Sequence, residues 1–123
     1  MNQKIQELLD NVGRPYEMFN DDGTYQGCFY PVQFLYKDLP KYKMPNLKIE
    51  EACDFAFEKI KENCIEISPS ELTEGDIITT NFRGILHVAI YLEFGKIIHV
   101  FKNHTLQIGR LKMFKNFQSY KVA

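Results

Sequence analysis

Residues 86–101 read LHVAIYLEFGKIIHVF, and this stretch decides the predicted fold. Two apolar segments rich in β-branched residues flank the turn residues 93–95, a pattern typical of a β-hairpin. We expect a three-residue loop in which Gly95 adopts the left-handed conformation, and this loop pairs Leu92 with Lys96. A two-residue loop would instead shift the register by one residue.

The length of this loop decides where the two histidines of the hairpin lie. Successive side chains of a strand point to opposite faces of a sheet. The three-residue loop therefore puts His87 and His99 on one face as diagonal neighbours, whereas a two-residue loop separates them. With the longer loop Ala89 lies opposite His99 and leaves room for an imidazole ring, which favours that loop.

Helical patterns precede the hairpin and further strands surround it. Apolar spacing predicts helices over residues 2–12, from Cys28 to about residue 38, and in a segment with the apolar stripe Ile49, Ala52, Cys53, Ala56 and Ile60. Residues 40–47 are expected to be irregular, and residues 76–80, 106–108 and 120–122 to be strands. This order predicts an α+β fold in one domain over residues 1–123, with N-terminal helices on one face of an antiparallel sheet of about five strands.

Composition narrows the possible functions. The chain has 123 residues, of which 45% are hydrophobic and 25% charged, and its net charge is −1. This charge gives no reason to expect nucleic acid or a membrane as a partner. Three cysteines without paired spacing argue against a disulfide framework or a four-ligand zinc site, so no metal or cofactor is expected. Residues 1–10 lack the apolar core of a signal peptide, which predicts a cytoplasmic protein at synthesis.

Cys28 is the candidate nucleophile. It follows Gly27 and begins a segment in which Pro31 fits the first turn of a helix. A thiol at a helix start lies among free N–H groups and near the positive end of the helix dipole, which favours the thiolate. The alternative is a buried structural cysteine, which is our interpretation of Cys53 and Cys64.

A cysteine that packs over a sheet face with two histidines predicts a nucleophile, a base and an orienting residue. His87 would take the proton of Cys28 or form a thiolate–imidazolium pair with it, and His99 would fix the ring and tautomer of His87. Each histidine could instead be a hydrogen-bonded, half-buried residue without a catalytic role. His104 lies in a predicted turn and is expected to be exposed.

Three motifs resemble the NlpC-type cysteine peptidases, papain-like enzymes that cleave bacterial cell-wall peptides. Residues 13–16, GRPY, look like the family's Gly-x-Pro-Tyr, and Tyr16 precedes Cys28 by the usual twelve positions. Residues 74–77, EGDI, resemble its Pro-Gly-Asp-Leu. The hairpin is similar to its His-Val-Gly-Ile-Tyr and Gly-Lys-x-Ile-His, again with twelve positions between the histidines. Together these motifs cover roughly residues 13–110.

The resemblance implies a papain-like fold and hydrolysis of peptidoglycan stem peptides, usually after γ-linked D-glutamate, through a thioester. It implies that Cys28 is the nucleophile, His87 the base and His99 the orienting residue. Tyr16 would line the site near the oxyanion. Residues 27–30, GCFY, depart from the family's usual Asp-Cys-Ser-Gly. Three arginines could bind a carboxylate of the stem peptide: Arg14, Arg83 and Arg110.

Several alternatives stay open at the level of sequence. The chain could be a related amidase or acyltransferase with another substrate, such as an interbacterial effector or a phage tail enzyme. Delivery by a phage tail or secretion device, or a leader that has been removed, would then explain action outside the cell. Cys28, His87 and His99 could together ligate zinc with one position open. A binding module that has lost catalysis is a further alternative, suggested by the altered residues around Cys28.

Overall fold

The chain folds as helices followed by an antiparallel sheet, in a computed structural model that describes residues 2–43 and 49–123. The α-helices in these ranges are α1 (Asn2–Leu9), α2 (Tyr30–Leu35) and α3 (Ile49–Lys61). The strands are β1 (Cys64–Ile67), β2 (Ile77–Phe82), β3 (Ile85–Tyr91), β4 (Lys96–His99), β5 (Gln107–Arg110) and β6 (Gln118–Val122). The predicted α+β class is confirmed. None of the described helices is long and apolar enough to cross a membrane.

The strand order of the sheet is β1-β6-β2-β3-β4-β5, with every neighbouring pair antiparallel. Strands β2 to β5 form the predicted meander, and β6 returns to the free edge of β2. The prediction of five strands missed β1, which pairs with β6 from Cys64 opposite Val122. Ile65 in this strand is 60% exposed, so β1 is a short edge strand that depends on β6 more than on burial of its own side chains.

The hairpin of β3 and β4 has the predicted register. Ile90 pairs with Ile98, and the N–H of Leu92 donates to the carbonyl of Lys96 at 2.9 Å. Gly95 has a φ of 73°, as the three-residue loop requires. The same register places Ala89 opposite His99, so the prediction that depended on loop length is confirmed.

The turn between β2 and β3 is tighter than predicted. The sequence predicted a strand over residues 76–80, but β2 continues to Phe82, which pairs with Ile85. Only Arg83 and Gly84 lie between the strands, with φ of 55° and 84°. Two consecutive positive φ values are typical of a type I′ hairpin turn, whose twist matches that of the strands.

The first helix ends earlier than predicted. Residues 2–12 were expected to be helical, but α1 ends at Leu9. The N–H of Asn11 then donates to Leu8 at 2.9 Å, and that of Val12 to Leu9 at 3.1 Å. These bonds span three residues, as in a 3-10 turn, and they tighten the chain before Gly13 at φ 100°.

The helix expected from Cys28 to about residue 38 is also shorter than predicted. A 3-10 turn, Gly27–Phe29, leads into the six-residue α2. The helix ends at Leu35, because Tyr36 leaves the helical region with φ −121° and ψ 72°. The Tyr36 hydroxyl donates to the carbonyl of Gly75 at 2.5 Å and ties this end of the helix to the start of the sheet.

The larger core lies between the helices and one face of the sheet. Phe29 stacks on Phe57 of α3, and Phe57 packs edge-on against Tyr120 of β6. The other sheet face carries a smaller cluster: Ile78, Ala89, Ile97 and Phe114. Cys53, Ala56 and Ile60 lie on the buried face of α3 as predicted. The predicted side-chain roles of Ile49 and Ala52, and the 44–47 part of the irregular segment, lie outside the described residues.

Candidate active site

Two buried histidines form the centre of the site. His87 on β3 and His99 on β4 are 4% and 1% exposed, and His87 Nε2 lies 2.8 Å from His99 Nδ1. The His87 ring stacks on Phe101 at a centroid distance of 4.2 Å, and both imidazoles pack edge-on against Phe114. The prediction that the two histidines share a face is confirmed. The phenylalanines restrict the orientation of the rings.

Both imidazoles are neutral at neutral pH. Desolvation, helped by the charge of His99, lowers the pKa of His87 to about 3, and desolvation lowers the pKa of His99 to about 4. Two neutral rings share one hydrogen between their facing nitrogens. If Nε2–H of His87 donates to Nδ1 of His99, then Nδ1 of His87 keeps its lone pair. In this tautomer His87 can accept a proton from a thiol, whereas in the opposite one it cannot.

Gly109 on β5 leaves the space that the His99 ring occupies. A Cβ at this position would lie 2.9 Å from His99 Nε2, closer than real side chains allow. The φ of Gly109 is not positive, so the backbone conformation does not require glycine here. The space that the His99 ring takes up does require it. No motif in the sequence marked Gly109, because its contact with His99 arises only from the pairing of β4 with β5.

Cys28 lies in the 3-10 turn, and its sulfur is next to a second thiol. Cys28 is 7% exposed, and its Sγ lies 3.9 Å from Sγ of Cys53 on α3. Hydrogen bonding to Cys53 and burial raise the pKa of Cys28, opposed by the N–H groups of Val88 and of Cys28 itself, which lower it. The expectation that a helix start favours the thiolate is therefore wrong for the resting protein. The helix that follows has only six residues, and the sulfur is buried.

The helices pack on the sheet face opposite the two histidines. Val88 and Ile90 belong to the core beneath the helices, and their side chains alternate along β3 with that of His87. The sequence predicted that Cys28 packs over the histidine face, and the structure differs. The described pairing of β3 with β4 covers Ile90 and Tyr91. The Cys28 sulfur approaches β3 at the backbone N–H of Val88.

Cys28 and His87 line the same cavity, which has a volume of about 430 Å³. Among the described residues no hydrogen bond joins the two, since the Cys28 sulfur pairs with Cys53 and the His87 ring with His99. The structure thus brings the predicted nucleophile and base to one cavity but pairs each with another partner.

The cavity has an aromatic wall and a basic rim. Its lining comes from the segment that leads to Cys28, from α3, from the β2–β3 hairpin and from the segment after β4. The lining residues are Tyr16, Tyr25, Cys28, Cys53, Phe82, Arg83, Ile85, Leu86, His87, Phe101, Lys102 and His104. Among the described residues, none of those that line this cavity is Asp or Glu. Such a cavity suits a ligand that carries a negative group.

Tyr16 lies on the cavity wall with its backbone held by the opposite loop. Its N–H donates to the carbonyl of His104 at 2.9 Å, and His104 itself is exposed, as predicted, at the cavity rim. Desolvation raises the pKa of Tyr16, so its hydroxyl stays protonated and available as a donor.

Of the three candidate arginines, only Arg83 lines this cavity. Its guanidinium lies 5.2 Å from the ring centroid of Phe82. Arg14 is instead held outside the cavity by Gln26 at 3.1 Å, by Glu17 at 3.2 Å and by the ring of Tyr30 at 3.9 Å. Arg110 lines a separate cavity of about 420 Å³, together with Phe94 and Phe117.

The packing around Gly27 explains one departure from the family pattern. Gly27 has a φ of 50°, and a Cβ at this position would lie 2.5 Å from Cζ of Tyr25. The buried Tyr25 ring, which is 4% exposed, therefore occupies the space that the usual aspartate would need. Tyr30, in place of the usual glycine, packs under the Arg14 guanidinium and against Phe34.

We expect Gly27→Ala to lower the free energy of unfolding by about 2–4 kcal/mol, because the left-handed backbone strain adds to a collision with a buried ring. Gly23→Ala is the matched control: Gly23 has a φ of 85°, but a Cβ there would meet nothing within 4 Å. It should cost only about 1 kcal/mol. Urea denaturation measures both values, and equal losses would contradict the assigned role of Tyr25.

The described residues contain no arrangement of side chains that fits the zinc site considered as an alternative. In residues 2–43 and 49–123, no three His, Cys, Asp or Glu side chains converge in a way that could hold a metal ion. Cys28 in particular contacts Cys53, while His87 and His99 use their facing nitrogens on each other.

Comparison with known proteins gives the family. The NlpC/P60 family matches residues 13–121, which is most of the chain. The chain belongs to the NlpC/P60 family. Two NlpC/P60 domains of known structure are similar to it in fold. The domain of the peptidoglycan hydrolase SagA is 20% identical with a TM-score of 0.62, covering 98% of this chain and 95% of that domain.

The second similar structure is RipD from Mycobacterium tuberculosis, described as a non-catalytic NlpC/p60 domain protein adapted to peptidoglycan binding. It is 16% identical with a TM-score of 0.53, covering 98% of this chain and 93% of that one. A search of curated proteins finds no match. This NlpC/P60 domain therefore shares its fold both with a hydrolase and with a protein that does not catalyse.

Proposed function

We propose that this NlpC/P60 domain is a cysteine peptidase or amidase that hydrolyses an amide bond of peptidoglycan stem peptides. The observation that carries the proposal is the 2.8 Å contact of His87 Nε2 with His99 Nδ1, on a ring that lines the same cavity as Cys28. Family membership and the similar fold of the SagA domain support the substrate class. Peptidoglycan lies outside the cytoplasmic membrane, and a phage tail or secretion device is the delivery route that we propose.

The first chemical step is acyl transfer to Cys28. The sulfur turns from Cys53 towards the cavity and attacks the carbonyl carbon, while Nδ1 of His87 accepts the thiol proton. The amine leaves with that proton. The backbone N–H of Cys28 and the Tyr16 hydroxyl stabilise the oxyanion, an effect often worth about 3 kcal/mol.

The second step releases the acid. Water attacks the thioester carbon, Nδ1 of His87 takes the water proton, and the sulfur leaves and is reprotonated. His99 keeps the His87 ring in the tautomer whose Nδ1 is free, and it stabilises the imidazolium that forms in each step. Hydrogen bonds between catalytic groups are often long in the free enzyme and tighten with substrate, which is consistent with the resting Cys28–Cys53 contact.

A peptidoglycan-binding module is the second candidate function. The observation in its favour is that the Cys28 sulfur pairs with Cys53 and makes no hydrogen bond to His87. Slow alkylation of resting Cys28 does not separate the two functions, because burial and Cys53 raise the pKa of Cys28 in both cases.

Mass spectrometry of muropeptides incubated with the protein separates the candidates. Hydrolysis predicts two fragments whose masses sum to that of the substrate plus one water. Transfer to another acceptor predicts a new amide or ester in place of the free acid. A binding module predicts retention of muropeptides on the immobilised protein without fragments. If neither soluble muropeptides nor intact sacculi yield fragments, the proposed hydrolase activity is wrong.

We further propose that Arg83 binds a carboxylate of the stem peptide at the cavity rim. Arg83→Ala should raise KM about fivefold and leave kcat within about threefold, because an exposed ion pair contributes to binding in the ground state and transition state alike. Arg110→Ala, in the separate cavity, is the matched control and should change neither constant. A fall in kcat without a change in KM would assign Arg83 another role.

A further inference from the structure

Cys53 is a buried nucleophilic group that the acyl-transfer mechanism does not use. Its Sγ lies 3.9 Å from that of Cys28 and 3.4 Å from the carbonyl oxygen of Leu86. Both residues line the 430 Å³ cavity, so the two thiols lie beside a space that small solutes can enter. The third thiol, Cys64, lies elsewhere, on β1, with its sulfur 3.7 Å from the carbonyl of Ile60.

The contact between the two thiols shifts their pKa values in opposite directions. Hydrogen bonding from Cys28 and from the Tyr25 hydroxyl lowers the pKa of Cys53, while the same contact with Cys53 raises the pKa of Cys28. The two sulfurs are 3.9 Å apart, so once one thiol loses its proton the other can donate its own to the thiolate. A thiolate next to a second thiol is the arrangement from which disulfides form.

We propose that Cys28 and Cys53 are a redox modification site: hydroperoxides convert the two thiols to an intramolecular disulfide that reversibly blocks the nucleophile. The sulfurs must approach from 3.9 Å to a bond length of about 2 Å. Cys28 lies in a 3-10 turn and Cys53 on α3, so side-chain rotation and a small shift between these two elements can supply the movement.

The reaction balances with hydrogen peroxide as the oxidant. The Cys53 thiolate attacks one peroxide oxygen, the O–O bond breaks, and Cys53 becomes a sulfenic acid, while the leaving hydroxide takes up the proton that the thiol released and becomes water. The Cys28 thiol then attacks the Cys53 sulfur, the S–O bond breaks, and a second water leaves. The two thiols lose two electrons and two protons, and one peroxide takes them up to become two waters. A dithiol reductant reverses the change by thiol–disulfide exchange.

Formation of this bond does not depend on the proposed function, whereas its effect on activity does. The test is peptide mapping by mass spectrometry, without reduction, after brief exposure of the whole chain to hydrogen peroxide. We expect a linked Cys28–Cys53 peptide that has lost two hydrogens and disappears with dithiothreitol. Cys64→Ala should form the link at the same rate, and stem-peptide cleavage should fall at least about tenfold on oxidation and return on reduction.

The Cys53→Ala variant tests whether Cys53 protects Cys28 from irreversible oxidation. Without its partner, Cys28 should proceed to the sulfinic and sulfonic acids, which dithiothreitol does not reverse. The proposal is overturned if the wild-type protein yields no Cys28–Cys53 link while Cys28 over-oxidises as fast as in Cys53→Ala. If the link forms but the protein shows no cleavage activity, the proposed function is wrong and the proposed modification site is supported.

Discussion

Replacing Cys28 by alanine is expected to lower kcat/KM for stem-peptide cleavage by at least about 10³-fold, or about 4 kcal/mol of transition-state stabilisation. The variant keeps the cavity, the Tyr16 hydroxyl and the histidine pair, but it has no atom that can form the thioester. Residual hydrolysis would come only from binding and from the oxyanion donors. The measurement is initial-rate kinetics on a purified muropeptide.

The same substitution should leave the fold intact. Cys28 is buried against Cys53, so loss of one sulfur leaves a small void and costs about 1 kcal/mol of unfolding free energy. Cys64→Ala is the matched control, because Cys64 lies outside the cavity lining and should retain wild-type kinetics. Cleavage by Cys28→Ala within tenfold of the wild-type rate would remove Cys28 from the mechanism.

Acidification is expected to destabilise this protein by about 5 kcal/mol between pH 7 and about pH 4.5, through its two buried histidines. The folded pKa values of His87 and His99 are lowered to about 3 and about 4. The unfolded chain therefore binds more protons than the folded one below the unfolded pKa of about 6.5. The stability is fully present above that pH and is lost as the pH falls towards the folded values, about 2–3 kcal/mol per histidine.

Urea denaturation at the two pH values tests this prediction. In the double variant His87→Gln, His99→Asn, amides replace the two facing nitrogens but do not titrate, so the loss of stability on acidification should fall by at least half. The matched control is His104→Gln, since His104 is exposed and its replacement should leave the acid loss unchanged. An acid loss of the same size in the double variant would show that other groups cause it.

The hairpin was predictable because local rules fix it. Gly95 in a left-handed loop sets the register, and the period of two then places His87 and His99 on one face. Neither step needs knowledge of any distant segment. The family motifs around Tyr16 and Cys28 also lie within short stretches, and the structure places both residues on the wall of one cavity.

The features of the site that sequence reasoning missed, and strand β1, depend on contacts between distant segments. The side of the sheet that the helices cover decides how Cys28 approaches β3, and a cysteine motif carries no signal for that choice. Cys53 was interpreted as core filling, and it is buried, yet its contact with Cys28 spans 25 positions of sequence. Likewise, β1 becomes a strand because β6 returns beside it. The need for glycine at position 109 arises from its contact with His99.

Labelling with a stem-peptide analogue that carries a chloromethyl ketone at the scissile carbonyl tests the central claim most directly. We predict that one equivalent inactivates the protein, that peptide mapping finds the adduct on Cys28, and that His87→Gln slows the labelling. An adduct on Cys53 or Cys64, or continued cleavage by protein fully labelled at Cys28, would contradict the account.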